Sequence, residues 1–450
     1  MIASQGSITN IITIASMMSL IVEFFVIDAF NIPPSLNVKV NRSTSIYTTT
    51  KLYSSMGGVG LGVGMNPSVS SLLDGEQEQV IANRAYIEEE ILNNSQAPRD
   101  ELKMATEEEC MDAKKWMKEV LKIEARKERS SSGGGFGGGG GSMGKKNKGN
   151  KKKGAKSSKN NSGGTSSIPL SYSKFNAKVD VSGHGAILQK NGVARVNNVL
   201  SSSTAENLLK YVDDLKLQSE EEVASGKVPQ LSRFTRVLLK SNRCDLLLPF
   251  DTENDAIMQA LYELLGDGKS SNLGAVGSVV ESAISSDAEL YELACLISDP
   301  GSDRQVIHPD IAHQGILQKR TGPLITCFVA LQDIDQSMGP SEFLLGTNTA
   351  EYHEKLNDHS LRDDMLETVP SKISLLQEGD CSIFDATTLH CGTANKSQQR
   401  RRLFYFTFRS LAMEDPRTSN NPGSIRPEVK EAKLSLGNIR KEIRSWKEKK

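Results

Sequence analysis

The chain has 450 residues, 54 of them Lys or Arg against 55 Asp or Glu, for a net charge of −1. That balance excludes a global field for nucleic acid or anionic membrane, but the charge is segregated along the chain, so the average hides local blocks. Six cysteines with no CxxC pair exclude a zinc ribbon or a thioredoxin motif. Four of them (Cys244, Cys295, Cys327 and Cys381) lie in apolar runs where cysteine acts as a small hydrophobe, so free thiols in a reducing compartment are expected.

Residues 11–27 form an apolar run broken by Glu23, too short for a membrane span and closer to the h-region of a signal peptide, assigned to residues 1–30. Asp28-Ala29-Phe30 then resembles the Ala-Phe cleavage junction of bipartite plastid-targeting sequences in algae with secondary plastids. Residues 31–56 carry Lys39, Arg42 and Lys51, many hydroxyls and no acid, which is transit-peptide composition; that segment is drawn as 31–74. The plastid of such an alga is the expected location, with the secretory pathway or cytoplasm as alternatives, and no transmembrane span is expected in the mature form. The run GGVGLGVG at 57–64 lacks the strand and helix of a phosphate loop and reads as a linker.

Residues 75–130 form an acidic helical segment. It holds Glu88-Glu89-Glu90 and Glu107-Glu108-Glu109, with Trp116, Val120, Leu121 and Ile123 at helical spacing. One or two surface helices are expected, as a solvated appendage or as the contact for a protein partner. Residues 131–167 are Gly/Lys-rich with nothing apolar to bury, which predicts a disordered linker. No aromatic interleaves the lysines, so nucleic acid is not the expected partner.

The folded domain is assigned to residues 168–415. Asn191-Gly192-Val193 reads as a turn into a strand at 194–199, and Ser203 with Glu206 as a capping box for a helix ending at Leu215. Strands are predicted within 233–250 and over 289–297, 324–331, 381–384 and 403–408, with a helix over 253–266. Many short strands after a few helices predict a mainly β fold with flanking helices, a jelly-roll-like barrel. Residues 416–450 read as a polar tail, with an exposed amphipathic helix over 426–448.

The chemistry is sought among six histidines. His184, His353 and His359 lie in polar surroundings that ask for no function, and His313 sits in a loop. In His308-Pro309-Asp310 an imidazole and a carboxylate two residues apart point to one side of an extended chain. His390 ends the strand-like run SIFDATTLH. Two histidines and one carboxylate are the ligand set of non-haem iron(II) oxygenases. His-Pro-Asp also marks J-domains, but the basic helix that should precede it is absent. Arg401, eleven residues after His390, enters the apolar strand LFYFTF, where its guanidinium offers a two-toothed fork for a carboxylate such as that of 2-oxoglutarate. Arg400 and Arg402 are the alternatives one step away.

At these residues the chain from about 190 to 410 resembles the phytanoyl-CoA dioxygenase family. The matching stretches are VIHPDI, CFVALQDIDQSMGPSEFLLGTNT, GDCSIFDATTLHCGTANKS and RRRLFYFTF. The family shows a strand bearing HxD, an MG-P…LPGTH turn, a GD-x-x-x-F-D…L-H strand, an Asn five residues after that His, and the cosubstrate arginine. The resemblance implies a double-stranded β-helix and an iron(II)- and 2-oxoglutarate-dependent dioxygenase that consumes O2 and releases succinate and CO2. It implies His308, Asp310 and His390 as iron ligands and Arg401 as the 2-oxoglutarate anchor. Gln305, Phe328 and Thr393 are further candidates for contacts to the cosubstrate. The PGTH turn here reads Leu345-Gly346-Thr347-Asn348, and Gly392 stands where the family often has Ser. A small-molecule substrate is expected, with lipid or acyl derivatives among the candidates. A β-helix that only binds, or a protein hydroxylase, are the alternatives; the latter often anchors its cosubstrate through lysine.

Overall fold

Runs of β-branched and aromatic residues bounded by Gly, Asp and Asn fold as short strands, and these assemble into two facing sheets. The structure is a computed structural model that describes residues 67–131, 179–235, 241–267, 273–313, 324–417 and 423–450. The predicted signal peptide, the transit segment up to residue 66, the 57–64 loop and the linker from 132 to 167 lie outside the described residues. Residues 67–74, drawn with the transit segment, open a helix instead.

In chain order the strands are β1 (Arg99–Glu101), β2 (Val193–Val196), β3 (Phe234–Thr235), β4 (Arg243–Leu247), β5 (Glu289–Ser298), β6 (Leu324–Ala330), β7 (Ser341–Leu344), β8 (Ser371–Ile373), β9 (Cys381–Asp385), β10 (His390–Gly392) and β11 (Arg401–Arg409). The larger sheet runs β2-β9-β6-β11-β5-β4-β3 and the smaller β1-β8-β7-β10. Every pairing is antiparallel except β1 with β8. This is the double-stranded β-helix that the resemblance implied.

The helices are α1 (Pro67–Asn94), α2 (Glu107–Ser131), α3 (Val181–Asn191), α4 (Ser202–Ala224), α5 (Asp255–Leu265), α6 (Ala275–Ala283), α7 (Ala350–Asn357), α8 (His359–Thr368), α9 (Pro427–Ala432) and α10 (Leu436–Lys449). No helix among the described residues is long and apolar enough to cross a membrane.

Strand alternation assigns the two faces of β11. Leu403 and Tyr405 join Phe328, Phe343 and Phe384 between the sheets. Phe404, Phe406 and Phe408 turn outward into a cluster with Val212 of α4, Leu264 of α5, Val279 of α6 and Trp446 of α10. Each fully buried Phe contributes roughly 1.5–3 kcal/mol, so this outer layer holds the sheet flat against its helices. All six cysteines are free, among them the four whose apolar runs were read that way.

The ends of the chain correct the sequence reading. The acidic segment is no solvated appendage: Ala85, Glu88 and Leu92 of α1 and Cys110 and Ala113 of α2 are buried, and β1 adds a strand to the smaller sheet. Arg195 of β2 fastens it, donating to the Leu102 carbonyl at 2.8 Å and to Asp380 Oδ2 at 2.6 Å. The acidic average hid this, because the buried residues occupy one helical stripe and the glutamates mostly the other. The tail is likewise not exposed, since Leu436, Ile439, Ile443 and Trp446 enter the core. Gly192 is the left-handed cap of α3 (φ 82°) and turns the chain into β2, the turn into a strand that the sequence predicted, with the strand ending at Val196 rather than 199. The capping box at Ser203 and Glu206 does not form. Ser201 is the N-cap, and Glu263 of α5 accepts from its amide at 2.6 Å, so a carboxylate from another helix takes the role.

Candidate active site

His390 opens β10, paired with Phe343 of β7 on one side. On the other side His308 forms an isolated antiparallel bridge with it, exchanging both backbone hydrogen bonds at 2.9 Å. The segment around His308 thus extends the smaller sheet by one strand. Asp310 then donates its amide to the Ala386 carbonyl at 2.9 Å, which bends the chain back toward the loop before His390.

Both imidazoles are oriented by backbone carbonyls. Nδ1 of His308 lies 2.7 Å from the Val306 carbonyl and Nδ1 of His390 2.9 Å from the Thr388 carbonyl. A carbonyl only accepts, so each Nδ1 carries the proton and each Nε2 keeps its lone pair for an electrophile. The Nε2 atoms lie 4.0 Å (His308) and 3.5 Å (His390) from Asp310 Oδ1, and one ligand atom from each of the three lies within 4.8 Å of the others. Burial, with the neighbouring His390 adding to it, lowers His308 to about 4; burial alone lowers His390 to about 4. Burial raises Asp310 to about 6. Asp310 nonetheless keeps 36% of its side chain exposed and His308 20%, so the triad opens on its Asp310 side, where a divalent cation would favour the carboxylate and the two neutral imidazoles. Phe343 stacks on the His390 ring at 5.7 Å and Phe384 packs at 4.9 Å, which closes that side to water.

A second layer fixes these residues. Glu88 Oε2 of α1 accepts from the Ile307 amide at 2.6 Å, one residue before His308. Arg304 stands between Glu88 and Glu342, at 3.9 and 3.5 Å, and Arg99 of β1 reaches Glu342 at 2.7 Å. His353 of α7, expected to be idle, is buried. Its Nε2 meets the Thr387 carbonyl at 2.7 Å and its Nδ1 accepts from the His313 amide at 3.0 Å, tying together the loops beside the two ligand histidines.

The other end of the barrel is basic. Arg401 opens β11 on its inward face, opposite Ser298 of β5, and is fully buried. It donates to Ser298 Oγ at 3.0 Å and to the Gly339 carbonyl. Arg243 of β4, also opposite Ser298, donates to the same hydroxyl at 2.8 Å and to the Asp303 and Thr393 carbonyls at 2.8 Å. Neither guanidinium has a carboxylate within ion-pair distance among the described residues, and both Nε atoms lack a partner. Burial, then the charge of Arg243, lowers Arg401 to about 9; burial lowers Arg243 to about 10. Two guanidiniums that share one hydroxyl have the chemistry to take up a carboxylate. Arg400 and Arg402 face the other way: Arg400 pairs with Asp299, and Arg402 with Asp213 of α4 at 2.8 Å.

Two glycines serve this end. Gly339 has φ +75°, and a Cβ there would meet the Thr393 carbonyl oxygen at 2.6 Å. At Gly392 a Cβ would lie 2.7 Å from Gln305 Oε1 and 2.9 Å from Arg243 Nη1. The departure from serine is thus explained, because the Arg243 guanidinium and Gln305 fill that space.

A cavity of about 530 Å³ is lined by the triad, Gln305 and Phe328 among others; Arg401 and Arg243 lie behind its wall, where Gln305 and Gly392 stand between. Gln305 accepts from the Gly392 amide at 2.9 Å, and Phe328 packs edge-on to Tyr405 at 5.5 Å. Thr393 is a correction: its hydroxyl donates to the Pro340 carbonyl at 2.8 Å and its own carbonyl holds Arg243, so it builds the loop rather than facing the cavity. Sequence reasoning missed Arg243, Asp245, Glu292 and Glu88. The signal for the first three was a charged residue in an otherwise apolar strand, the same signal that singled out Arg401.

A two-histidine, one-carboxylate triad in a β-helix whose closed end carries unneutralised guanidiniums defines the class, that of iron(II)-dependent dioxygenases using 2-oxoglutarate and O2. Comparison with known proteins agrees. Residues 188–403 match the family model of phytanoyl-CoA dioxygenase (PhyH), and this stretch is a domain of that family. The chain is 24% identical over 256 residues to the dioxygenase cnsJ of Penicillium expansum, across 54% of this chain and 71% of that protein. Among solved structures it is similar to the non-heme alpha ketoglutarate dependent epimerase SnoN from nogalamycin biosynthesis (TM-score 0.36, 15% identity, 51% of this chain and 80% of that one). It is also similar to HygX from Streptomyces hygroscopicus, solved with nickel and 2-oxoglutarate bound (TM-score 0.35, 15% identity, 54% and 94%). The enzyme is a 2-oxoglutarate-dependent dioxygenase, with iron(II) as its metal.

Proposed function

We propose that His308, Asp310 and His390 hold the iron, that Arg401 with Arg243 holds the distal carboxylate of 2-oxoglutarate, and that the enzyme hydroxylates a small molecule in the adjoining cavity. The observation that carries this reading is the gathering of two Nε2 lone pairs and the Asp310 carboxylate within 4.8 Å of one another, in the same barrel as two guanidiniums that have no counter-charge among the described residues. Bound iron(II), with 2-oxoglutarate and O2, supplies the oxidising chemistry. One oxygen atom enters a C–H bond of the substrate and the other leaves in succinate, with CO2 released.

The chain's own residues set the stage. Asp310 cancels one of the two metal charges and the histidines remain neutral donors. Their Nδ1–carbonyl bonds keep the lone pairs on target, while Glu88 fixes the Ile307 backbone beside them. Ser298, at the junction of β4, β5 and β11, sets the spacing of the two guanidiniums. The cavity falls within the roughly 300–1,000 Å³ of small-molecule sites. Asp245 and Glu292 line its walls beside apolar residues such as Leu296 and Phe328, so among small molecules a purely apolar lipid or acyl chain, one of the candidates, is disfavoured.

Anaerobic titration of the full chain with iron(II) and 2-oxoglutarate tests the reading. A weak visible charge-transfer band is expected from the chelate, absent in His308→Ala. A folded, iron-supplied protein with no band would contradict it.

A further inference from the structure

The inward rows of the larger sheet carry charge in two tiers. Along β5 the inward face is Ser298, Leu296, Ala294 and Glu292, and along β11 it is Arg401, Leu403, Tyr405 and Thr407, paired in that order; Leu296, Glu292 and Tyr405 reach the cavity. Arg243 and Arg401 share the Ser298 tier. Asp245 lies opposite Leu296, and Glu292 is at the far end. Both carboxylates line the cavity that holds the iron-binding triad.

Neither carboxylate has a cationic partner among the described residues. Asp245 is 2% exposed. Its Oδ2 accepts from Tyr405 Oη at 2.7 Å and Ser424 Oγ at 2.6 Å, and its Oδ1 has no partner among the described residues. Glu292 accepts from Thr407 Oγ1 at 2.6 Å and from the Ser424 amide at 3.3 Å. It and Leu296 are the two residues of β5 that stay only partly buried, and both open on the cavity. Arg243, two residues from Asp245 on the same strand, is committed to Ser298 and to two carbonyls.

The remaining buried acids show how this protein treats a structural carboxylate. Glu88 and Glu342 pair with Arg304, Glu289 with Arg409 and Arg417, and Asp380 with Arg195. Asp385, the exception, caps its own turn through Thr387. Two carboxylates left without counter-charge in one cavity are costly unless a ligand completes them.

We propose that the substrate carries a protonated amine or another cationic nitrogen, bound between Asp245 and Glu292, with its carbon skeleton lying toward the triad. This rests on the dioxygenase reading above and adds the substrate class. The cation would supply what the site lacks, a charge-assisted donor for Asp245 Oδ1 and for Glu292. Burial, helped by the charge of Asp310, holds Glu292 at about 7, and burial holds Asp245 at about 7, as expected of carboxyls awaiting a counter-charge. The division of labour follows: the guanidinium tier takes the dianionic cosubstrate, and the acidic tier takes a cation while repelling a second cosubstrate molecule.

The test is thermal denaturation of the full chain with iron(II) and 2-oxoglutarate under anaerobic conditions. Cyclohexylamine, 1,4-diaminobutane and agmatine are titrated beside the neutral cyclohexanol and 1,4-butanediol. The amines are expected to raise Tm in a saturable way and the alcohols not to. In Glu292→Gln and Asp245→Asn the amines should bind at least about tenfold more weakly. Equal behaviour of amines and alcohols on wild-type protein, or an amine shift that survives in both variants, would overturn the proposal. The charge-transfer band, recorded in the same wild-type samples, separates the two readings. A band with no amine response refutes the substrate class alone. A missing band refutes the metal centre, and the amine response is then judged by itself.

Discussion

Arg304 and Arg401 are both buried arginines of one small barrel, and they differ in what surrounds them. Arg304 stands between Glu88 and Glu342, in a chain of alternating charge that ties α1 and β1 to the smaller sheet. Arg401 shares a serine hydroxyl with Arg243 and meets no carboxylate among the described residues. The same contrast separates Glu342 from Glu292. Charge that holds the fold together is neutralised within the protein, whereas charge that serves the site is left for ligands to neutralise. Stability and function should therefore respond oppositely to substitution at the two kinds of position.

The largest expected effect is at the triad. His390→Ala removes a ligand and should abolish iron-dependent succinate release, with bound iron measured alongside. Arg401→Met should come next. Losing one side of a buried charge pair costs on the order of 2–5 kcal/mol of binding, so 2-oxoglutarate affinity should fall by about thirtyfold or more. The ligand-free protein should keep or gain Tm, because no ion pair is lost. Glu88→Ala should do the reverse of that and strip stability. It leaves Arg304 short of a counter-charge and the Ile307 amide without an acceptor, at roughly 3–5 kcal/mol by chemical denaturation. If Arg401→Met unfolds the protein and Glu88→Ala does not, the contrast is wrong.

A subtler effect lies in the pH dependence. Glu292 faces Asp245 and Asp310 across the cavity, with Thr407 and the Ser424 amide against it. Its folded pKa of about 7 exceeds the ordinary 4.5. Between these values the folded protein binds a proton that the unfolded chain has released, so this group lowers stability as pH rises from about 4.5 to 7. His308 and His390, held at about 4, act in the opposite sense below about 6.5, so the absolute curve mixes both. The difference isolates Glu292: Glu292→Gln should gain on wild type steadily from pH 4.5 to 7.5, in denaturation midpoints without substrate. A flat difference would show that Glu292 is already paired. The smallest effect is expected at Arg402→Gln. It severs a half-buried outward pair with Asp213, costs at most about 1 kcal/mol and leaves 2-oxoglutarate affinity unchanged.

How much of this was legible in the sequence depended on local signal. The triad could be read because HxD needs only an extended chain, and β11 because its apolar run is continuous. Arg401 was chosen over Arg400 and Arg402 by spacing, and in the structure it is the one of the three that faces inward, while the other two pair with Asp299 and Asp213. Arg243, Asp245 and Glu292 belong to the same inward rows, but they are brought together by register across β4, β5 and β11, which no window of sequence contains. The acidic segment misled for a related reason. Its glutamates describe its solvent face, whereas Glu88, Ala85 and Leu92 owe their burial to a surface built from residues more than two hundred positions later.

The central claim is that the barrel has a cosubstrate end and a substrate end set by side chains of opposite charge. The most direct measurement is anaerobic calorimetric titration of 2-oxoglutarate into the iron(II)-loaded full chain, comparing wild type, Arg243→Met, Arg401→Met and Glu292→Gln. Loss of affinity in both arginine variants, with affinity kept in Glu292→Gln, is the predicted result. Equal weakening by Glu292→Gln, or unchanged affinity in both arginine variants, would contradict it.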